Sequence, residues 1–265
     1  MNPESSGGGY TKARSMQHRD ALLLLGQHLA WRDGDVVLDV GCGTGEIARH
    51  IADRKEVAKV VGLDISKDMV NFATSNNTAE KASFHVLDIQ DESGIREDWR
   101  GKFTKAVSFH TVHWIPNKER FLANVHVCLE KGGELLFNLF AGVPAIKVAR
   151  DIKHHPKWRE YLTDYTLQLY EWPKGDVAGM SHLLEECGFE VVTCEVHTLT
   201  FKLDSLEKEK AFSRPLLGHL QYIPEEKQDD FLEDAISMAR ELYQKDEEGR
   251  VAWEMPQIVV HARKL

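Results

Sequence analysis

Residues 36–45 read Val36-Val37-Leu38-Asp39-Val40-Gly41-Cys42-Gly43-Thr44-Gly45, and this stretch decides the fold. The aliphatic run predicts a buried strand that ends at the acid Asp39. Glycines then fall at every second position: Gly41, Gly43 and Gly45. Such spacing lets the backbone turn sharply and lets a ligand lie directly on the main chain. Glu46 to Ala52 predicts the start of a helix. Strand, glycine loop and helix together form the ligand-binding turn of an open α/β sheet.

Working outward, the chemistry of the loop narrows its ligand. A dinucleotide fingerprint needs G-x-G-x-x-G, with the third glycine close to a pyrophosphate. Counting from Gly41, that position is Glu46, whose carboxylate would repel the phosphates. No Gly-Lys-Ser/Thr follows the loop, so a Walker A site is excluded as well. A second apolar run, Val60-Val61-Gly62-Leu63-Asp64, ends in another acid 23 residues after Gly41. That is near the spacing expected of a ribose-binding carboxylate, which accepts from both hydroxyls of the diol. A third run, Phe84-His85-Val86-Leu87-Asp88-Ile89, repeats the pattern.

The spacing D-x-G-x-G-x-G resembles motif I of the class I S-adenosylmethionine-dependent methyltransferases. Their cofactor has no phosphate, and it carries an ammonium, a sulfonium and an adenosine. The resemblance implies Asp39 near the cationic end, the Gly41–Gly45 backbone along the methionine chain and Asp64 on the ribose. It also implies Asp88 at the adenine amino group and Ile89 against the ring. Ile65, Met69, Phe109 and His110 complete the cofactor set it implies. No metal ligands are expected.

Composition bounds the alternatives. The chain has 265 residues, 42% of them hydrophobic, which suits one domain with a substantial core. Its net charge is −9, from 33 basic and 42 acidic residues. An acidic chain without a basic run is a poor partner for nucleic acid or an anionic membrane. Cys42, Cys128, Cys187 and Cys194 form no C-x-x-C pair and read as reduced thiols of a cytoplasmic protein. No apolar run is long enough for a signal peptide or a membrane span. The small, polar residues 1–9 read as a mobile tail. The sequence is compatible with a homodimer.

The pattern of elements predicts a doubly wound, Rossmann-like α/β sheet of seven strands. A helix is expected over 12–31, with Ala21, Leu24, Leu25 and Leu29 on one face. Strands are expected near 36–40, 58–63, 83–87, 103–109 and 134–139, the last after a Gly132-Gly133 turn. A helix over 181–187 is stopped by Gly188, and two β segments follow at 189–201 and 256–263. Cap elements are expected at about 10–31, 143–176 and 204–248. In the last, Phe231, Leu232, Ile236, Ala239 and Leu242 recur at helical spacing, which fits both a core helix and a lid. Trp158, Tyr161, Tyr165, Tyr170 and Trp172 form an aromatic group that fits either core or a pocket wall.

The substrate side resembles the arthropod juvenile hormone acid methyltransferases, which esterify farnesoic acid and its epoxide. The residues that carry this are Tyr10-x-x-Ala13-x-x-x-Gln17-x-x-Asp20-Ala21 and Ser108-Phe109-His110-Thr111-Val112-His113-Trp114. Val86–Ile89, Gly101–Phe103 and Ala262–Leu265 add to them. The resemblance implies a carboxylic acid as acceptor, with Gln17 and Trp114 at its carboxylate and His113 in the same wall. A carboxylic acid has a pKa of about 4–4.5, so at neutral pH it is already an anion and needs no general base. It needs neutral donors and a dry, oriented site. Two positions depart from the family. Arg14 stands where Asn is usual, and His110 where Tyr is usual. Arg14 would favour a more polar acid or a diacid. His110 or His113 as a base would suit a hydroxyl or amine acceptor instead. A non-catalytic cofactor-binding relative is the remaining alternative.

Overall fold

The computed structural model describes residues 8–214, 216–245, 247 and 250–265, with side chains from residue 16 onward. Its seven-stranded sheet runs β3-β2-β1-β4-β5-β7-β6. The strands are β1 (Asp35–Val40), β2 (Val57–Asp64), β3 (Ala82–Val86), β4 (Phe103–Ser108), β5 (Leu129–Phe140), β6 (Phe189–Lys202) and β7 (Ala252–Lys264). The first five are parallel, and β7 enters antiparallel between β5 and β6. The strand order reverses between β1 and β4, and an open α/β sheet presents its ligand crevice at the carboxyl ends beside such a switch.

Eight helices flank the sheet among the described residues. They are α1 (Gly8–His28), α2 (Glu46–Ala52), α3 (Lys67–Asn76), α4 (Lys118–Cys128), α5 (Pro144–Asp151), α6 (Val177–Glu186), α7 (Leu206–Ser213) and α8 (Gln228–Arg240). Alternate residues of β1 face opposite layers, as a strand's period of two requires. Val37 joins Leu24 and Leu25 of α1 and Ile51 of α2 on one face, while Leu38 joins Phe121 of α4 and Leu184 of α6 on the other. The predicted face is buried at Ala21, Leu24 and Leu25 on α1 and at Leu29 just past its end.

Several boundaries differ from expectation. Helix α1 begins at Gly8, inside the stretch read as a tail, while residues 1–7 lie outside the described residues. Strand β3 ends at Val86, so Asp88 and Ile89 occupy the loop beyond it. Gly132 and Gly133 do not separate a loop from a strand. They lie inside β5, where pairing with β4 jumps from Phe103–Leu129 to Lys105–Glu134. Gly132, at φ 78°, takes the left-handed backbone that this bulge requires.

A polar cluster unseen in the sequence pins the sheet's centre. The Lys105 ammonium is 3.3 Å from an Asp35 carboxylate oxygen and 3.1 Å from one of Glu134, with Lys105 and Asp35 each 2% exposed.

Beyond Phe140–Gln257, β5 stops pairing with β7, but β6 and β7 run on together to Lys202–Ala252. This two-stranded ribbon carries Phe201 and Trp253 into a third apolar cluster with Val148, Trp158, Phe231 and Ile236. Helices α5, α7 and α8 pack there as a cap.

Candidate active site

The carboxyl ends of β1, β2 and β4, with the loop after β3, enclose a cavity of about 450 Å³. Every residue expected at the cofactor lines it except Gly45, which lies behind the loop: Asp39, Gly41, Gly43, Asp64, Ile65, Met69, Asp88, Ile89, Phe109 and His110. Gly45, at φ 82°, instead caps α2, where an added Cβ would come within 2.9 Å of Ala73. Two glycines show why the loop is built as it is. A Cβ on Gly41 would lie 2.1 Å from a Thr111 methyl, so only glycine fits there. Gly43, at φ 52°, has nothing within 4 Å of where its Cβ would be. That open cradle is room for a ligand against bare backbone.

The acids differ in state. Asp39 is 3% exposed, and its Oδ2 is buried without a partner. Burial and the nearby Asp64 push its carboxyl up to about 7. An unpartnered buried carboxylate oxygen is costly unless a cation or donor arrives, which suits an amino-acid ammonium. Asp64 is half-buried and accepts from the N–H of Gly43 at 2.9 Å and of Ser66 at 2.8 Å. Asp88 accepts from the Gln90 N–H at 2.9 Å. Ile65, 68% exposed, offers an apolar face at the cavity edge. The residues present therefore fit a cofactor with an ammonium, a diol and an aromatic base.

A second, apolar cavity of about 170 Å³ adjoins the first. It lies between the sheet and the cap, lined by Ile146, Leu169, Phe201, Ile236 and Trp253 among others. Gln17, His110, Trp114 and Leu216 line both cavities. Gln17 is half-buried on α1, and Trp114 ends a 3₁₀ turn (Val112–Trp114) after β4. At 46% exposure Trp114 is no core aromatic. His113 lines the apolar cavity only, 1% exposed and stacked on Phe140 at 4.1 Å. Burial holds its pKa well below the ordinary histidine value, so it is neutral.

The aromatic group that fitted either core or a pocket wall does not line this cavity. Trp158 is fully buried in the cap core against Phe231, with its indole N–H donated to Asp234 at 2.9 Å. Tyr165 packs on His219. The wall comes from aliphatic residues of the same segment, such as Val143, Ile146 and Leu169. Helix α8 serves as both core and wall: Phe231 and Leu232 face the cap core, while Ile236 and Ala239 reach the cavity. Leu242, expected on that stripe, lies just past the helix and is 44% exposed. The Arg14 side chain lies outside the described residues.

A second polar constellation not foreseen from the sequence lies where the two cavities meet. Asp20 Oδ2 accepts from His110 Nε2 at 2.9 Å, Asn138 Nδ2 at 3.1 Å and Gln257 Nε2 at 3.0 Å. Asn138 Nδ2 also donates to Gln257 Oε1 at 2.9 Å, and Asn138 Oδ1 accepts the His110 N–H at 2.7 Å. Burial pushes the Asp20 carboxyl up, but the hydrogen bonds from His110 and Gln257 outweigh it and hold it below its ordinary value. The signal was present: Asn138 interrupts the apolar run Leu135–Phe140, and Gln257 precedes the apolar Ile258–Val260.

A parallel sheet closed by an antiparallel β7, with glycines and strand-end acids around one crevice, defines a class I S-adenosylmethionine-dependent methyltransferase. The chain belongs to the methyltransferase domain family, whose model matches residues 32–207. It is 31% identical to a juvenile hormone acid O-methyltransferase of Bombyx mori, over 97% of this chain and 96% of that one. It is 29% identical to the Drosophila melanogaster juvenile hormone acid O-methyltransferase, over 96% and 91%. Its fold matches the Haemonchus contortus phosphoethanolamine N-methyltransferase 2, solved with S-adenosylhomocysteine, with a TM-score of 0.59 at 18% identity. That match covers 93% of this chain and 52% of the other. Among the described residues no helix is long and apolar enough to cross a membrane.

Proposed function

We propose that this methyltransferase esterifies the carboxylate of a long apolar acid, of the farnesoic or juvenile hormone acid kind or a fatty acid. The observation that carries this reading is the apolar cavity, which adjoins the strand-end cavity at Gln17, His110, Trp114 and Leu216. The names of the insect relatives support it. When bound, S-adenosylmethionine supplies an electrophilic methyl on a sulfonium. Asp39 would receive its ammonium, Asp64 its ribose diol and Asp88 its adenine amino group. Ile65, Met69, Ile89 and Phe109 line the same cavity and would supply apolar surface to the base.

On the acceptor side the chain's task is orientation and exclusion of water. A carboxylate is already a nucleophile at neutral pH, so no residue has to remove a proton. The Gln17 amide and the Trp114 indole N–H orient the carboxylate without neutralising it. His113, neutral and buried, shapes the adjoining wall. Each CH₂ of the acceptor transferred into the cap contributes about 0.8 kcal/mol. Positioning of this kind accounts for several kcal/mol of a barrier.

The test is a screen with methyl-labelled cofactor against farnesoic acid, juvenile hormone acid, saturated fatty acids and small diacids. Methyl esters of the long acids are expected, and rate should be lost only at acidic pH. Turnover of hydroxyl or amine acceptors instead, with rate lost below a histidine pKa, would overturn the reading. So would cofactor binding with no turnover of any acid.

A further inference from the structure

Three lysines are buried among the described residues: Lys105, Lys118 and Lys210. Lys105 sits between Asp35 and Glu134, and Lys210 pairs with Glu233. Lys118 contacts no carboxylate among the described residues. Its ammonium donates instead to two backbone carbonyls, that of Ile115 and that of Tyr170, the latter at 2.7 Å. Its place in the chain is unfavourable as well. Lys118 opens α4 directly after the N-cap Asn117, where the helix dipole disfavours a cation. Burial pulls its pKa down to about 8. A cation held in such a place without a counter-ion calls for a reason beyond packing.

The two carbonyls supply that reason. The Tyr170 N–H donates to the His113 carbonyl at 2.6 Å. The Lys118 ammonium then joins the Tyr170 carbonyl to the Ile115 carbonyl. The carbonyls on either side of Trp114 are thus both tied to Tyr170, one directly and one through Lys118. Trp114 lines both cavities. Its indole N–H has no protein acceptor among the described residues, so no bond of its own aims it. The 3₁₀ turn that carries it sets its direction, together with the His113 ring, whose centroid is 5.6 Å away.

We propose that Lys118 is a positioning residue for methyl transfer: it fixes the turn from which Trp114 orients the acceptor's carboxylate. This deepens the proposed function and rests on its reading of Trp114. Lys118 lines neither cavity. The carboxylate therefore meets neutral donors, while the cation behind them holds their geometry. A charge suits that task, because charge-assisted hydrogen bonds hold a backbone more firmly than neutral ones. The rate is sensitive to such a hold, since a misplacement of about 1 Å can cost about 100-fold.

The experiment is a double-mutant cycle on Lys118 and Trp114 in the full chain. It reads kcat and KM for farnesoic acid with methyl-labelled S-adenosylmethionine, and affinity for S-adenosylhomocysteine by calorimetry. Lys118→Met keeps an unbranched stem and removes the ammonium. It should lower kcat about 10-fold, with KM and S-adenosylhomocysteine affinity within about threefold. Added to Trp114→Ala, it should cost nothing further, because the group it positions is already gone. An equal loss with and without Trp114 would mean that Lys118 acts elsewhere, and would overturn the inference. So would full kcat in Lys118→Met. Loss of S-adenosylhomocysteine affinity in Lys118→Met would assign the residue to the fold at large, and the inference would again be wrong while the proposed function stands. If the wild-type chain esterifies no acid, or if Trp114→Ala keeps its full rate, the acceptor reading itself fails and takes this inference with it.

Discussion

The strand-end cavity is floored by main chain and by acids at the ends of parallel strands. The apolar cavity is walled by side chains from α5, α7, α8 and the β6–β7 ribbon. In the first, each polar partner has one place to stand, because strand register sets it. In the second, contact is non-directional and many residue choices fill the same volume. Directional sites therefore lose function at single positions, whereas apolar sites change preference by degrees.

That contrast can be broken by experiment. The largest effect is expected on the strand-end side. Asp64→Ala should weaken S-adenosylmethionine binding about 100-fold, since hydrogen bonds to a charged group contribute roughly 1.5–3 kcal/mol each. Calorimetry that finds unchanged affinity would remove Asp64 from the ribose. At the boundary, Gln17→Ala and Trp114→Ala should each lower turnover of the preferred acid about 10- to 100-fold while leaving cofactor affinity within about threefold. Full activity in both would move the carboxylate elsewhere.

The smallest effect is on stability. Asp39 is raised to about 7 in the fold, first by burial and then by Asp64, from an ordinary value of 3.8. Because the folded value is the higher one, the folded state holds an extra proton between those limits. Its stabilising contribution is complete below pH 3.8 and lost as pH rises through 7. Without cofactor, the melting temperature should fall by a few degrees between pH 5 and pH 8. The slope should flatten in Asp39→Asn. A slope unchanged by that substitution would place the titration elsewhere.

The sequence disclosed the two sides unequally for the same physical reason. Asp39, Gly41 and Asp64 sit at fixed offsets from strand ends, so their spacing, read with the family resemblance, marked them as neighbours of one cavity. The apolar wall could not be found that way. Val143, Leu169 and Phe201 lie far apart in the chain and look like any buried residues until the cap folds. The aromatic group from Trp158 to Trp172 drew attention by size, yet Trp158 and Tyr165 went to the cap core and Trp172 packs against the sheet. Arg14 and His110 stood out only as departures from a family pattern. What holds His110 in place became visible once Asp20, Asn138 and Gln257, drawn from three distant segments, were seen around it. The central Lys105 cluster was hidden because the pairing of β4 with β1 and β5 is not written in any one segment.

The β6–β7 ribbon has a consequence for descent. Residues 204–248 leave from the tip of β6 and return at the start of β7, so much of the cap hangs on one hairpin. Lengthening, shortening or replacing that hairpin connection leaves all seven strands and their order in place. A lineage can thus recast which molecule it recognises by editing a single loop, while the machinery that handles the methyl donor is inherited intact.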